Sequence, residues 1–283
     1  PRTQVRKTVG LRPNALLLSA AAAAGIECVQ PVFSFFQNDM AYCVANAFEQ
    51  EQPILLDQFK NKTPFSKHLT SLIKYADFGI SDVKSVPANI PSDIWHQFKE
   101  QMKTQIGADE GKLEEAFNIK NATQLQFTHT GEDSSSAGFG LDNESRGTVA
   151  ALSFFSLALR QLSRPTVTLI DEIDTSLHPA LVAELVALYT DPATNPHGSQ
   201  LIFTTHDVSL INQSGSSNRL LQPDQIWLVE KDKDGASELF PVTELGIRKE
   251  ENIGKNYLNG VYGATSNPSF HTVFAQIMNG DDD

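Results

Sequence analysis

Apolar positions recur at helical spacing through most of the first hundred residues. Pro13 opens an alanine-rich run that predicts a buried helix from about Arg12 to Ala24. Phe33 to Phe48 and Pro64 to Ala76 repeat the spacing, with Leu69, Leu72, Ile73 and Ala76 on one face of the second. Ile80 to Val86 predicts a short strand closed by Pro87 and Pro91, followed by a capped helix at Ser92 to Lys103 and a shorter helical piece at Lys112 to Phe117.

The pattern changes after Asn121. Thr123 to Thr130 alternate like a half-buried strand, Gly131 to Gly138 form a Ser/Gly-rich loop, and Phe139 to Leu141 form a second short strand. Thr148 to Leu162 have the length and spacing of an amphipathic helix. The apolar runs Val167 to Ile170 and Leu201 to Thr204 flank a helix at Pro179 to Tyr189, as in a parallel sheet covered on its faces. Ile226 to Val229 and Ser237 to Phe240 are joined by a turn at Asp232 to Gly235. The expected organisation is a mainly helical lobe over 1–120, an α/β core over 121–245 and a tail over 246–283.

Composition narrows the function. The 283 residues carry 22 Lys and Arg against 34 Asp and Glu, a net charge of −12, which argues against indiscriminate coating of nucleic acid but leaves room for a local basic patch. No stretch approaches the roughly 18 apolar residues of a membrane-spanning helix, so no membrane partner is expected. Cys28 and Cys43 are too few for a disulfide framework and lack metal-ligand spacing, which favours a reducing compartment, the cytoplasm. Arg2, Arg6, Lys7 and Arg12 ahead of ALLLSAAAAAG imitate a secretory signal, but Pro13 suits the first turn of an ordinary helix, and the basic residues suit a solvated face or a phosphate contact.

The chemistry gathers in the second half. Thr168 to Glu172 form an apolar strand ending in two acids, at the carboxyl edge where open α/β sheets bind ligands. Asp171 suits Mg²⁺ and Glu172 suits polarising an attacking water; two solvated acids at a strand end are the plainer reading. Asp174 to Pro179 is a polar turn into a helix with Pro at its start. His206, in Thr205-His206-Asp207, follows the neighbouring strand and suits either a terminal phosphate or a structural role. Glu144-Ser145-Arg146-Gly147-Thr148 precedes a long helix, an anion site by dipole and free N–H groups, or simply a helix cap.

Together these motifs resemble the ABC-type P-loop ATPases of the AAA15 class, relatives of the Rad50/SMC and RecF/OLD-like ATPases. RPNALLLS, YADFGI, DPATNPHGSQLIFTTHD, DQIWLVEKDKDGASELF and YLNGVYGA extend the resemblance over nearly the whole chain. It implies an α/β P-loop NTPase of ABC type, a partial three-layer sheet with a helical lobe inserted. It further implies ATP and Mg²⁺ as cofactors, with Asp171 as the metal ligand and Glu172 as the catalytic glutamate. Glu144, Ser145, Arg146 and Gly147 would form a signature that contacts ATP held by a second protomer, Asp174 would open the D-loop, and His206 would be the switch histidine.

The implied function is an ATP-driven switch, a homodimer or higher oligomer closed by an ATP sandwich, controlling an effector protein such as a nuclease in nucleic-acid work or anti-phage defence. A scaffold or sensor with little hydrolysis is the alternative, and a metal-dependent nuclease built on Asp171, Glu172 and Asp174 is a third reading. One departure stands out. No G-x-x-x-x-G-K-[ST] phosphate loop occurs, Gly111-Lys112 being incomplete, and the first residue is Pro1, so the loop and first strands are expected in a preceding portion.

Overall fold

A computed structural model describes residues 15–43, 47–76, 78–88, 97, 100, 101, 104, 122–131, 135–212, 219–248, 250–265, 268 and 270–279. They fall into two compact units, 1–204 and 205–283. In the first, helix α1 (Leu17–Ala23) and a short α2 (Gln30–Ser34) lead through a π-turn into strand β1 (Met40–Cys43). Helices α3 (Ala47–Lys60) and α4 (Pro64–Tyr75) precede β2 (Ile80–Pro87), β3 (Thr123–Thr130) and β4 (Ser136–Gly140). Then come α5 (Arg146–Gln161), β5 (Val167–Ile170), α6 (Pro179–Thr190) and β6 (Gln200–Phe203).

The helical spacing from Phe33 to Phe48 does not carry through to the structure. The α-helix gives way at Ser34 to a π-helical stretch, Phe35–Asp39, and Met40–Cys43 then pair in parallel with Val167–Ile170, so these four residues form a strand of the sheet. Sheet hydrogen bonds and burial of Cys43 outweigh a local periodicity that a short apolar run satisfies equally well. Of the helix predicted at Ser92 to Lys103, residues 97, 100 and 101 are described and helical; Lys112 to Phe117 and the basic residues before Pro13 lie outside the described residues.

The parallel sheet has the order β1-β5-β6, and α5 and α6 cover one of its faces. Phe154, Leu157 and Ala158 of α5 and Leu185 and Tyr189 of α6 line a small apolar gap with Ile170 and Leu201. Thr168, fully buried in β5, is satisfied by a 3.2 Å hydrogen bond with the Tyr189 hydroxyl. A second, antiparallel sheet has the order β2-β3-β4, with α3 and α4 packed on β2.

Helix α5 runs between these layers, which is why residues 151–158 are all buried: it packs on α3 and α4 and on α6, so no face is left to solvent. One charge enters this core. Glu51 on α3 accepts from the Ser156 hydroxyl at 2.7 Å and pairs with the Arg160 guanidinium, so its carboxylate is buried with both oxygens engaged.

The second unit holds the hairpin β7 (Trp227–Lys231) and β8 (Ser237–Pro241), paired from Trp227↔Pro241 to Lys231↔Ser237. Helices α7 (Ile253–Leu258) and α8 (Phe270–Asn279) follow. Its core joins Ile226, Leu228, Val242, Ile253 and Tyr262. Among the described residues no helix is long and apolar enough to cross a membrane.

Candidate functional site

The carboxyl edge of β5 carries the two acids, both exposed. The Asp171 N–H donates to the Cys43 carbonyl at 2.9 Å, extending the β1–β5 ladder by one bond. Its Oδ1 accepts from the Thr204 hydroxyl at 2.6 Å, and the same hydroxyl accepts the Glu172 N–H at 2.8 Å. Glu172 has φ +53°, a left-handed conformation that costs a non-glycine residue about 1 kcal/mol or more. It is held by those bonds and by Thr175, whose N–H donates to the Glu172 carbonyl at 3.0 Å and whose hydroxyl donates to Oε2 at 3.3 Å.

The turn after Glu172 is tightly determined. The Ile173 N–H donates to the Thr204 carbonyl, the Leu177 N–H to the Asp174 carbonyl, and the Ile173 and Leu177 side chains are buried. Ser176 takes a second left-handed conformation, φ +66°. His178 then caps α6: its Nδ1 accepts the Ala180 N–H at 3.2 Å, which puts the neutral ring's proton on Nε2, and Pro179 supplies a preset φ at the first helical position.

The start of α5 meets this turn directly. A Cβ on Gly147 would lie 2.7 Å from the Ser176 carbonyl oxygen, so only glycine lets the helix and the turn approach so closely. Ser145 caps α5, accepting the Thr148 N–H at 3.0 Å and sharing a 2.9 Å hydrogen bond with the Thr148 hydroxyl. Arg146, the first helical residue, is exposed. The Glu144 side chain is only 5% exposed and bonds His129 Nε2 on β3 at 2.7 Å, while the His129 ring packs edge-on against Phe139.

The fold therefore unites most of the expected residues. Asp171 and Glu172 share one edge, and Gly147 sits against the turn containing Asp174. Glu144 faces β3, and His206, exposed, belongs to the second unit. Thr204 and His129 were given no role by sequence reasoning; the run Leu201 to Thr204 set one at a strand end, and the alternation of TQLQFTHT set the other within a strand. Asp171 and Glu172 offer the hard oxygen donors that Mg²⁺ prefers. Among the described residues no group of three or more His, Cys, Asp or Glu is arranged to hold a metal.

A helix-covered parallel sheet with paired acids at its carboxyl edge is an α/β arrangement of the kind that binds ligands at that edge, and a family match places it with the P-loop NTPases. Residues 52–212, more than half of the 283, match the family described as "AAA domain, putative AbiEii toxin, Type IV TA system", and the chain belongs to it. No curated protein matches the chain. Neither the matched stretch nor the rest of the sequence contains the G-x-x-x-x-G-K-[ST] loop.

Proposed function

We propose that this chain is the hydrolytic and signature-bearing part of an ABC-type ATPase switch, akin to the AAA15 class and the Rad50/SMC and OLD-like enzymes, working in a toxin–antitoxin or anti-phage system in the cytoplasm. The observation that carries the reading is the contact of Gly147 with the Ser176 carbonyl, which joins the helix start bearing Arg146 to the turn that follows Asp171 and Glu172. In this reading the two protomers of a homodimer enclose ATP, each giving its acids to one nucleotide and its signature to the other.

Asp171 would hold Mg²⁺, which when bound neutralises charge on the phosphate oxygens. Glu172 orients a water and takes its proton as that water attacks the terminal phosphorus, while the bridging P–O bond to the β-phosphate breaks and ADP leaves with that oxygen. The Arg146 side chain and the N–H groups of Arg146 and Gly147 face the terminal phosphate of the nucleotide bound to the other protomer, where the helix dipole also favours negative charge. Ser145 and Glu144 fix that helix start, one as its cap and the other through His129. Closure controls an effector protein such as a nuclease, or its access to nucleic acid.

The second reading is a scaffold or sensor that holds the effector with little hydrolysis. Steady-state hydrolysis by the full-length protein decides between the two. Loss of turnover in Asp171→Ala and Glu172→Gln supports the switch; effector recruitment that persists unchanged in both variants supports the scaffold.

A further inference from the structure

We infer that Thr204 is a positioning residue for hydrolysis, holding the metal carboxylate and the backbone of the catalytic glutamate in one geometry. The inference rests on the reading of Asp171 and Glu172 given above and adds to it a residue from the neighbouring strand end.

Three consecutive residues are tied to Thr204. Asp171 Oδ1 accepts from its hydroxyl at 2.6 Å, the Glu172 N–H donates to that hydroxyl at 2.8 Å, and the Ile173 N–H donates to its carbonyl at 3.0 Å. Its own N–H donates to the Ile170 carbonyl at 3.0 Å, one step past the last β5–β6 pair, Ile170↔Phe203. A hydroxyl has one hydrogen and two lone pairs. Here the hydrogen is committed to Asp171, so an oxygen lone pair is what remains for Glu172.

The arrangement has two consequences. The Asp171 carboxylate has one oxygen, Oδ1, fixed by the Thr204 hydroxyl, which restrains the rotation of the group. The Glu172 N–H, in a left-handed residue (φ +53°) that sterics disfavour, has the hydroxyl oxygen as its acceptor. The hydroxyl thus links the aim of one acid to the backbone of the next. Partners that orient a ligating carboxylate in this way are generally worth 10–100-fold in metal affinity or activity.

Thr204→Val retains shape, β-branching and both backbone bonds, and removes only the hydroxyl; Thr204→Ser restores it. The full-length proteins are compared by amide hydrogen exchange without nucleotide and by steady-state ATP hydrolysis. In Thr204→Val the Glu172 amide loses its protection, and kcat falls roughly 10–100-fold while KM for ATP changes less than about threefold. In Thr204→Ser protection returns and kcat recovers to within about threefold of the parent. A protected Glu172 amide in Thr204→Val, or full turnover despite lost protection, overturns the inference. Glu172→Gln, run alongside, separates the failures: if it hydrolyses ATP normally, the reading of the site fails, while the exchange measurement still decides whether Thr204 holds the segment.

Discussion

Replacing Gly147 with alanine sets two known effects against each other. Alanine is favoured over glycine within a helix by roughly 0.5–1 kcal/mol. Its Cβ, however, would stand 2.7 Å from the Ser176 carbonyl oxygen, a backbone atom, and 3.6 Å from Ser145 Oγ. Ser176 has little room to retreat, because its φ is +66°, Leu177 is buried behind it, and Ile173 is bonded to Thr204. Forcing an extra carbon into a packed site typically costs about 1–3 kcal/mol, so the clash exceeds the helix gain and the net loss is about 1–2 kcal/mol. For a unit of this size that lowers Tm by roughly 2–8 °C. Scanning calorimetry measures the shift, with Gly138→Ala as control, since the atoms met there, at 2.6–3.0 Å, belong to the flexible amide end of Gln126. A Gly147→Ala protein as stable as the parent, or more stable, would refute the claim that this glycine is required by the contact between helix and turn.

Other regions of the molecule give further expectations. Glu51→Ala strands the Arg160 guanidinium at a mostly buried site and should cost about 3 kcal/mol in urea unfolding, the low end for a broken buried pair because Arg160 is 34% exposed; a loss under 1 kcal/mol contradicts it. Burial, reinforced by the charge of Glu51, pushes the Cys43 thiol up to about 11. At pH 8 roughly one Cys43 in a thousand is then thiolate. A thiol reagent should therefore label only the exposed Cys28 rapidly in the folded protein, and two equally fast thiols would count against the packing of β1. Glu251 is held below the ordinary carboxyl value of 4.5, chiefly by the Arg248 N–H and then by the Tyr262 hydroxyl. A carboxyl lowered in the folded state stabilises above its unfolded pKa and loses that contribution as pH falls through the folded one. Urea midpoints from pH 7 to pH 3 should accordingly fall more steeply in the parent than in Glu251→Gln; parallel curves would rule the effect out.

The parts of the fold legible in the sequence are those whose patterns have one structural solution. Val167–Ile170 reads as a continuous apolar run between polar neighbours because both of its flanking strands and two helices depend on it, and the strand has those bounds. Ser145 reads as a cap, and it is one. Met40–Cys43 was hidden because its four residues also fit a helical spacing, and what makes them a strand is β5, far along the chain. β4 begins at Ser136 rather than Phe139 because an edge strand paired only to β3 tolerates small residues that look like loop. At the site, the acids were legible as chemistry at a strand end. The roles of Thr204 and His129 were not, since they arise from strand register and from a bond between β3 and the start of α5, neither of which has a local signature.

Mixing two inactive proteins tests the shared site most directly. Glu172→Gln removes the water-orienting acid, and Arg146→Glu reverses the exposed charge at the start of α5 while keeping a residue the helix dipole favours there. Each variant alone should hydrolyse ATP poorly. If each site takes its acids from one protomer and its signature from the other, a mixed dimer contains one intact site, and an equimolar mixture recovers about a quarter of parental activity under random pairing. Recovery near that level is the predicted result; a mixture no more active than its components contradicts the shared site.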